Sequence, residues 1–187
     1  MNYEEMQKKY LSLIEEVSPN NENLTDDPDI AAKQVEVTNQ VMFELARFKK
    51  IPKYVEMPVT KGQTVTFEDI EKECGYEIYQ VKMVGGVGYI PKADGTVMKF
   101  IEDGVAEIEV YVYPERITET TKPKAYEFDL SPDALEVMPY GIAADLLKSD
   151  VSTEYGAIYA QRFETMLARL DSRYQMAGIS VEGGVYV

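Results

Sequence analysis

Histidine and tryptophan are absent from this 187-residue sequence, and cysteine occurs once. Without histidine there is no Ser-His-Asp triad, no Cys-His pair and no imidazole ligand for zinc or iron. A lone cysteine, Cys74, excludes an intrachain disulfide. Its acidic neighbour in Glu73-Cys74-Gly75 disfavours the thiolate, so it reads as structural rather than reactive. The lack of tryptophan weighs against a sugar-processing cleft. That objection is partial, since 14 tyrosines offer other rings and 33 Asp and Glu residues guarantee carboxylate pairs somewhere in space.

Basic residues are scarce as well. Nineteen Lys and Arg leave a formal net charge of −14. Binding a nucleic-acid backbone requires cations that release counterions, so this balance argues against DNA or RNA as the main ligand. It argues equally against anionic membranes. It suits solubility, steering toward a basic partner, or the lining of a passage that DNA must not stick to. No apolar run approaches the ~18–20 residues of a membrane span. The opening stretch Met1–Val17 has no apolar core of signal-peptide type. These features predict a chain made and folded in the cytosol with no membrane partner.

Two motifs that suggest chemistry lack its context. Gly85-Gly86-Val87-Gly88 is not followed by Gly-Lys-Ser/Thr or a helix signal, and Pro91 comes soon after. It reads as a strand break rather than a phosphate loop. Asp26-Asp27-Pro28-Asp29 lacks the alternating oxygen ligands and closing Glu of a calcium loop. It reads as a helix N-cap. No catalytic residue, cofactor or metal site is expected.

What the sequence does contain is a clear alternation of grammars. Tyr3, Met6, Tyr10, Leu13 and Val17 recur at helical spacing and predict a helix over Tyr3–Val17. Ser18-Pro19-Asn20-Asn21 stops it. Asp27-Pro28 then opens a second helix to about Lys50, with Val35, Val41, Met42, Leu45 and Phe48 as its buried stripe. From Tyr54 the β-branched and aromatic content rises. Strands are expected at Val55–Val59, Thr64–Phe67, Ile78–Val84, Gly88–Pro91, Thr96–Ile101, Val105–Tyr113 and Ala125–Leu130. Ala93-Asp94-Gly95 and Glu102-Asp103-Gly104 supply turns. In Val105–Tyr113, Ala106, Ile108, Val110 and Val112 share one face, which leaves Tyr111 and Tyr113 on the other as candidates for exposed contacts. Ser131–Ser172 predicts a helical hairpin broken at Ser149–Glu154. Pro139 sits inside its first arm, so that helix either begins near Pro139 or bends there. Tyr155, Tyr159, Phe163 and Met166 form a stripe in the second arm suited to core packing or a subunit interface. The last residues are Gly-rich with β-branched positions, as in an extended arm.

The expected fold class is therefore α+β. Two N-terminal and two C-terminal helices would form a four-helix core from residues 1–53 and 131–176. An antiparallel β-sandwich, 54–130, would be inserted, and 177–187 would be an extended C-terminal tail.

Three passages resemble the head-to-tail adaptor (connector, or head-completion) proteins of tailed bacteriophages. The second helix closes with Glu44-Leu45-Ala46-Arg47-Phe48-Lys49-Lys50-Ile51-Pro52. The strand Glu107–Tyr113 leads into Pro114-Glu115-Arg116-Ile117-Thr118-Glu119-Thr120-Thr121. Tyr126–Ala134 then enters Leu135-Glu136-Val137-Met138-Pro139-Tyr140-Gly141-Ile142-Ala143-Ala144. The resemblance implies a non-enzymatic virion protein that forms a homo-oligomeric ring, a dodecamer in the usual case, between the portal protein and a downstream tail or head-completion protein. DNA would pass through without specific binding. Assembly would occur in the host cytoplasm, with the helices in the ring wall. In that frame Tyr155, Tyr159, Phe163 and Met166 are expected at the subunit interface. Ile179, Val181, Val185, Tyr186 and Val187 are expected to add to the portal as a docking strand. The alternative is a β-sandwich that binds carbohydrate or a receptor as a decoration component of a phage particle.

Overall fold

The helices start where side chains can satisfy their first amide groups. In the computed structural model, which describes residues 1–21, 23–91, 97–148 and 154–175, helix α1 spans Tyr3–Leu13. Asn2 accepts from the Glu5 amide at 2.9 Å, and Glu5 accepts from the Asn2 amide at 3.0 Å. This reciprocal capping box fixes the entry. The helix leaves through a left-handed turn at Glu15, φ +60°, where the Glu16 amide donates to the Leu11 carbonyl at 2.9 Å. Helix α1 therefore stops short of Val17.

Helix α2 spans Pro28–Phe48, with Pro28 in its first turn. Asp27 accepts from the Asp29 and Ile30 amides at 2.8 and 3.2 Å, the cap that Asp27-Pro28 predicts. Val41, Met42 and Leu45 are buried as expected, whereas Phe48 is exposed and Val35 only half-buried. Toward the N-terminus the buried stripe continues through Ile30, Gln34, Val37 and Thr38. Two of these are polar. Gln34 is satisfied by Tyr10, whose hydroxyl donates to its carbonyl oxygen at 2.8 Å, and by Gln7 at 3.2 Å.

Next come strands β1 (Ile51–Val59) and β2 (Thr64–Thr66), helix α3 (Phe67–Cys74), and strands β3 (Ile78–Gly85), β4 (Tyr89–Pro91), β5 (Val97–Phe100) and β6 (Gly104–Val112). Two three-stranded sheets result, ordered β1-β6-β3 and β2-β5-β4, every described pairing antiparallel. Helix α3 falls where the sequence suggested only strand and loop. It is capped by a Thr66–Asp69 box and closed by Gly75 at φ +74°, a left-handed position that costs glycine nothing. Ala106, Ile108, Val110 and Val112 are all buried, as their alternation required. They join Val55, Val65, Ile70, Ile78 and Phe100 in one apolar cluster. Glu102-Asp103-Gly104 links strands of different sheets rather than a hairpin. Ala93-Asp94-Gly95 lies outside the described residues.

Helix α4 spans Pro132–Leu146 and α5 spans Tyr155–Gln175. Pro139 is interior to α4, so the helix does not start there. Among the described residues the fold is mixed α+β, with five helices and two small antiparallel sheets.

The chain divides into two compact units. One contains Met1–Lys49 and the chain from Ile117 onward; the other is Lys50–Arg116. The insert thus ends well before the expected Leu130. No ladder strand forms over Ala125–Leu130; only an isolated bridge joins Asn2 to Glu127. The alternation of Tyr126 and Phe128 arises because both rings pack against the helices, in the cluster that holds Met6, Met42 and Met138. Asn39 anchors the returning chain. Its amide donates to the Ile117 carbonyl at 2.8 Å, and its oxygen accepts from the Ile117 amide at 2.9 Å.

Candidate functional site

Helix α4 packs against α1, α2 and α5, and Gly141 sets how closely they meet. A Cβ there would lie 2.7 Å from Phe163 Cε2 and 2.9 Å from Val41 Cγ1. Phe163 consequently points into its own unit's core, as do Leu167 and Leu170. Of the four residues expected at a subunit interface, Phe163 is thus interior. Met166 is half-buried against the same cluster. Tyr159 is held by its hydroxyl, which donates to the Leu13 carbonyl, and its ring lies 6.5 Å from that of Tyr140. Tyr155 is 61% exposed. Ile158, one helical step on, is 52% exposed and was not singled out from the sequence. Its i+3 spacing from Tyr155 is the signal that would have found it.

Two open clefts flank this surface. The first, about 490 Å³, is lined by Leu13, Ile14, Ile30, Leu147, Tyr155 and Tyr159, with Glu15, Glu16, Asp27 and Asp29 around it and Lys33 as its cation. The second, about 610 Å³, is a groove with α1 on one side and α5 on the other. Pro139 and Tyr140 of α4 line its floor with Leu13 and Met166, while Lys8, Lys9, Ser12 and Glu136 form its polar part. The Arg162 guanidinium stacks over the Tyr140 ring at 4.5 Å, a cation–π contact. Further along these helices, burial raises the Glu44 carboxyl above its usual range, and the nearby Asp145 carboxylate pushes the same way.

The Lys50–Arg116 unit carries a second polar surface on β1-β6-β3. Glu109 is only 4% exposed. Lys82 donates to it at 2.7 Å and the Tyr54 hydroxyl at 3.2 Å. That carboxylate bond is the main reason the Lys82 ammonium is held above its usual value. The Tyr111 ring has Lys50 over it at 4.8 Å and stacks near Tyr79 at 6.3 Å. Tyr113, expected to be exposed, is buried at 7% because Tyr79 closes over it at 4.8 Å. Tyr54 is the more exposed of two exposed rings among the described residues of this unit, at 74% against 38% for Tyr89.

Among the described residues no three Asp, Glu or Cys side chains converge as a metal-ligand set, and no helix is long and apolar enough to cross a membrane. Gly86, at φ +82°, ends β3 as the strand-break reading of Gly85–Gly88 required. Ile179, Val181, Val185, Tyr186 and Val187 lie outside the described residues. No protein-family model matches the chain, and no curated protein matches it in sequence.

Proposed function

We propose that this chain is a non-enzymatic structural protein of a phage particle. In this reading it assembles into a ring between portal and tail, which extends the DNA channel and carries a downstream tail component. The observation that carries the reading is the element order: two helices, an excursion of strands from Lys50 to Arg116, then the α4–α5 pair. The three adaptor-like passages fall along this order, at the end of α2, from β6 onward, and at the entry to α4. Helices α1, α2, α4 and α5 would form a four-helix core in the ring wall, and the strands a small sandwich of their own. The net charge of −14 supports a passage along which DNA slides without sticking. A ring requires heterologous contacts whose rotation closes.

Negative-stain electron microscopy of the purified chain, alone and mixed with portal rings, tests this. Closed rings, alone or stacked on portal, are expected. A chain that neither self-associates nor binds portal overturns the reading. Deleting residues 179–187 is expected to abolish co-sedimentation with portal while leaving the folded chain intact. Unchanged co-sedimentation removes the docking-strand role.

The exposed Tyr54 beside the Glu109–Lys82 pair favours the second reading, a carbohydrate-binding decoration component. Glycan-array binding by the full chain that is lost in Tyr54→Ala would support it.

A further inference from the structure

We propose that the first turns of α5 in one copy, led by Tyr155 and Ile158, seat in the groove between α1 and α5 of a second copy. The proposal deepens the ring reading by naming the surfaces through which copies meet, and it rests on that reading for the claim that they meet at all.

Helix α5 supplies the projecting part. Its inward face is committed to the core through Phe163, Leu167 and Leu170. Tyr155 and Ile158, at i and i+3, form a second apolar pair that faces solvent at 61% and 52% exposure. One large apolar side chain on a surface is ordinary. Two adjacent ones on an otherwise polar helix face mark a contact. An aromatic anchor with an aliphatic neighbour is also the usual make-up of an interface hot spot.

The groove supplies the receiving part. Its floor of Leu13, Pro139, Tyr140 and Met166 is apolar, and its volume of about 610 Å³ accommodates a ring and a branched side chain.

Charge selects a second copy as the occupant. A chain of net charge −14 repels its own kind. Close contact therefore requires one of its few basic surfaces to meet an acidic one. The groove wall carries consecutive lysines, Lys8 and Lys9, with Glu136 as the carboxylate among its lining residues. Tyr155 projects beside the opposite arrangement, Glu15, Glu16, Asp27 and Asp29 against Lys33. Lys8 also pairs with Glu4 within its own helix at 2.6 Å. Such exposed pairs contribute little and leave the lysine available for exchange.

Cross-linking and charge reversal test this together. In full-length chains carrying Cys74→Ser, Ser12→Cys is made in one and Ile158→Cys in the other, and the two are mixed under mild oxidation. A disulfide joining the two different chains is expected. In sedimentation velocity, Lys8→Glu/Lys9→Glu and Glu15→Lys/Glu16→Lys are each expected to weaken association about tenfold. The quadruple variant, which reverses both surfaces, is expected to restore it. Circular dichroism reports whether each variant folds, and the cross-link reads the contact independently of the reversals. Rings that form with all variants and give no cross-link overturn the proposal and leave the ring reading standing. Cross-linked pairs or open filaments with no closed ring, either alone or on portal, support the proposal and overturn the ring reading. A wild-type chain that stays monomeric at its highest soluble concentration and forms no ring when mixed with portal overturns both.

Discussion

Gly141 shows how much a single hydrogen atom decides in the helical unit. A methyl group at this position would press on Phe163 and Val41 from within α4. Neither neighbour can withdraw without opening the packing of α2 or α5. Gly141→Ala is therefore expected to destabilise the helical unit by about 1–3 kcal/mol, although alanine is the better helix former. A urea melt with an unchanged midpoint would refute this. The opposite outcome is expected at Glu15, which occupies a left-handed position that glycine fills without steric cost. Glu15→Gly should raise stability by about 0.5–1 kcal/mol in the same melt. Spacing alone did not show that Phe163 turns inward, because an apolar stripe fits core and interface equally well. Nor did it show that Gln7 and Gln34 are buried. Their burial depends on a hydrogen bond between residues 27 positions apart.

Among the elements, α2 was the most legible. Asp27-Pro28 is a local signal, and capping depends on neighbours a few residues away. Helix α3 was missed for a different reason. It has only eight residues, too few for periodicity to stand out from the surrounding strands. Its Thr66–Asp69 box and Gly75 stop were readable all the same. The segment after Arg116 was misread because alternation records which side chains are buried, not what they are buried against. Asn39 ties this segment to α2 through two hydrogen bonds to the Ile117 backbone. Asn39→Ala leaves the buried backbone N–H and C=O of Ile117 without these partners, and the expected cost is about 2–3 kcal/mol. Hydrogen exchange at the Ile117 amide should rise with it. Unchanged protection would mean that other contacts hold the return.

For the molecule as a whole, pH should erode stability from both ends. Burial alone would raise the Asp133 carboxyl, but the Lys49 ammonium, donating to it at 2.7 Å, holds it below its usual value of 3.8. A carboxyl lowered on folding stabilises above the unfolded value, and this contribution is lost as pH falls through the folded one. Lys49→Met should flatten the acid limb of the stability profile below about pH 4. At the other end, burial raises the Tyr10 hydroxyl well above 10.0 and raises Tyr3 as well. Their stabilisation is intact below the unfolded value and lost as pH rises past it, since the unfolded chain releases those protons first. Tyr10→Phe should reduce the slope above about pH 10 while losing the bond to Gln34, about 1 kcal/mol at neutral pH. Denaturant melts across pH measure both limbs.

The discontinuous helical unit also has a consequence for the order of events during synthesis. Helices α1 and α2 leave the ribosome before the strands, but much of the surface they bury belongs to α4 and to Tyr126 and Phe128, which emerge only after all of Lys50–Arg116. The strand unit is contiguous and is complete before its host. A nascent chain therefore holds two helices with bare apolar stripes while an entire second unit folds in between. The helical unit closes after the strand unit, across the whole of Lys50–Arg116.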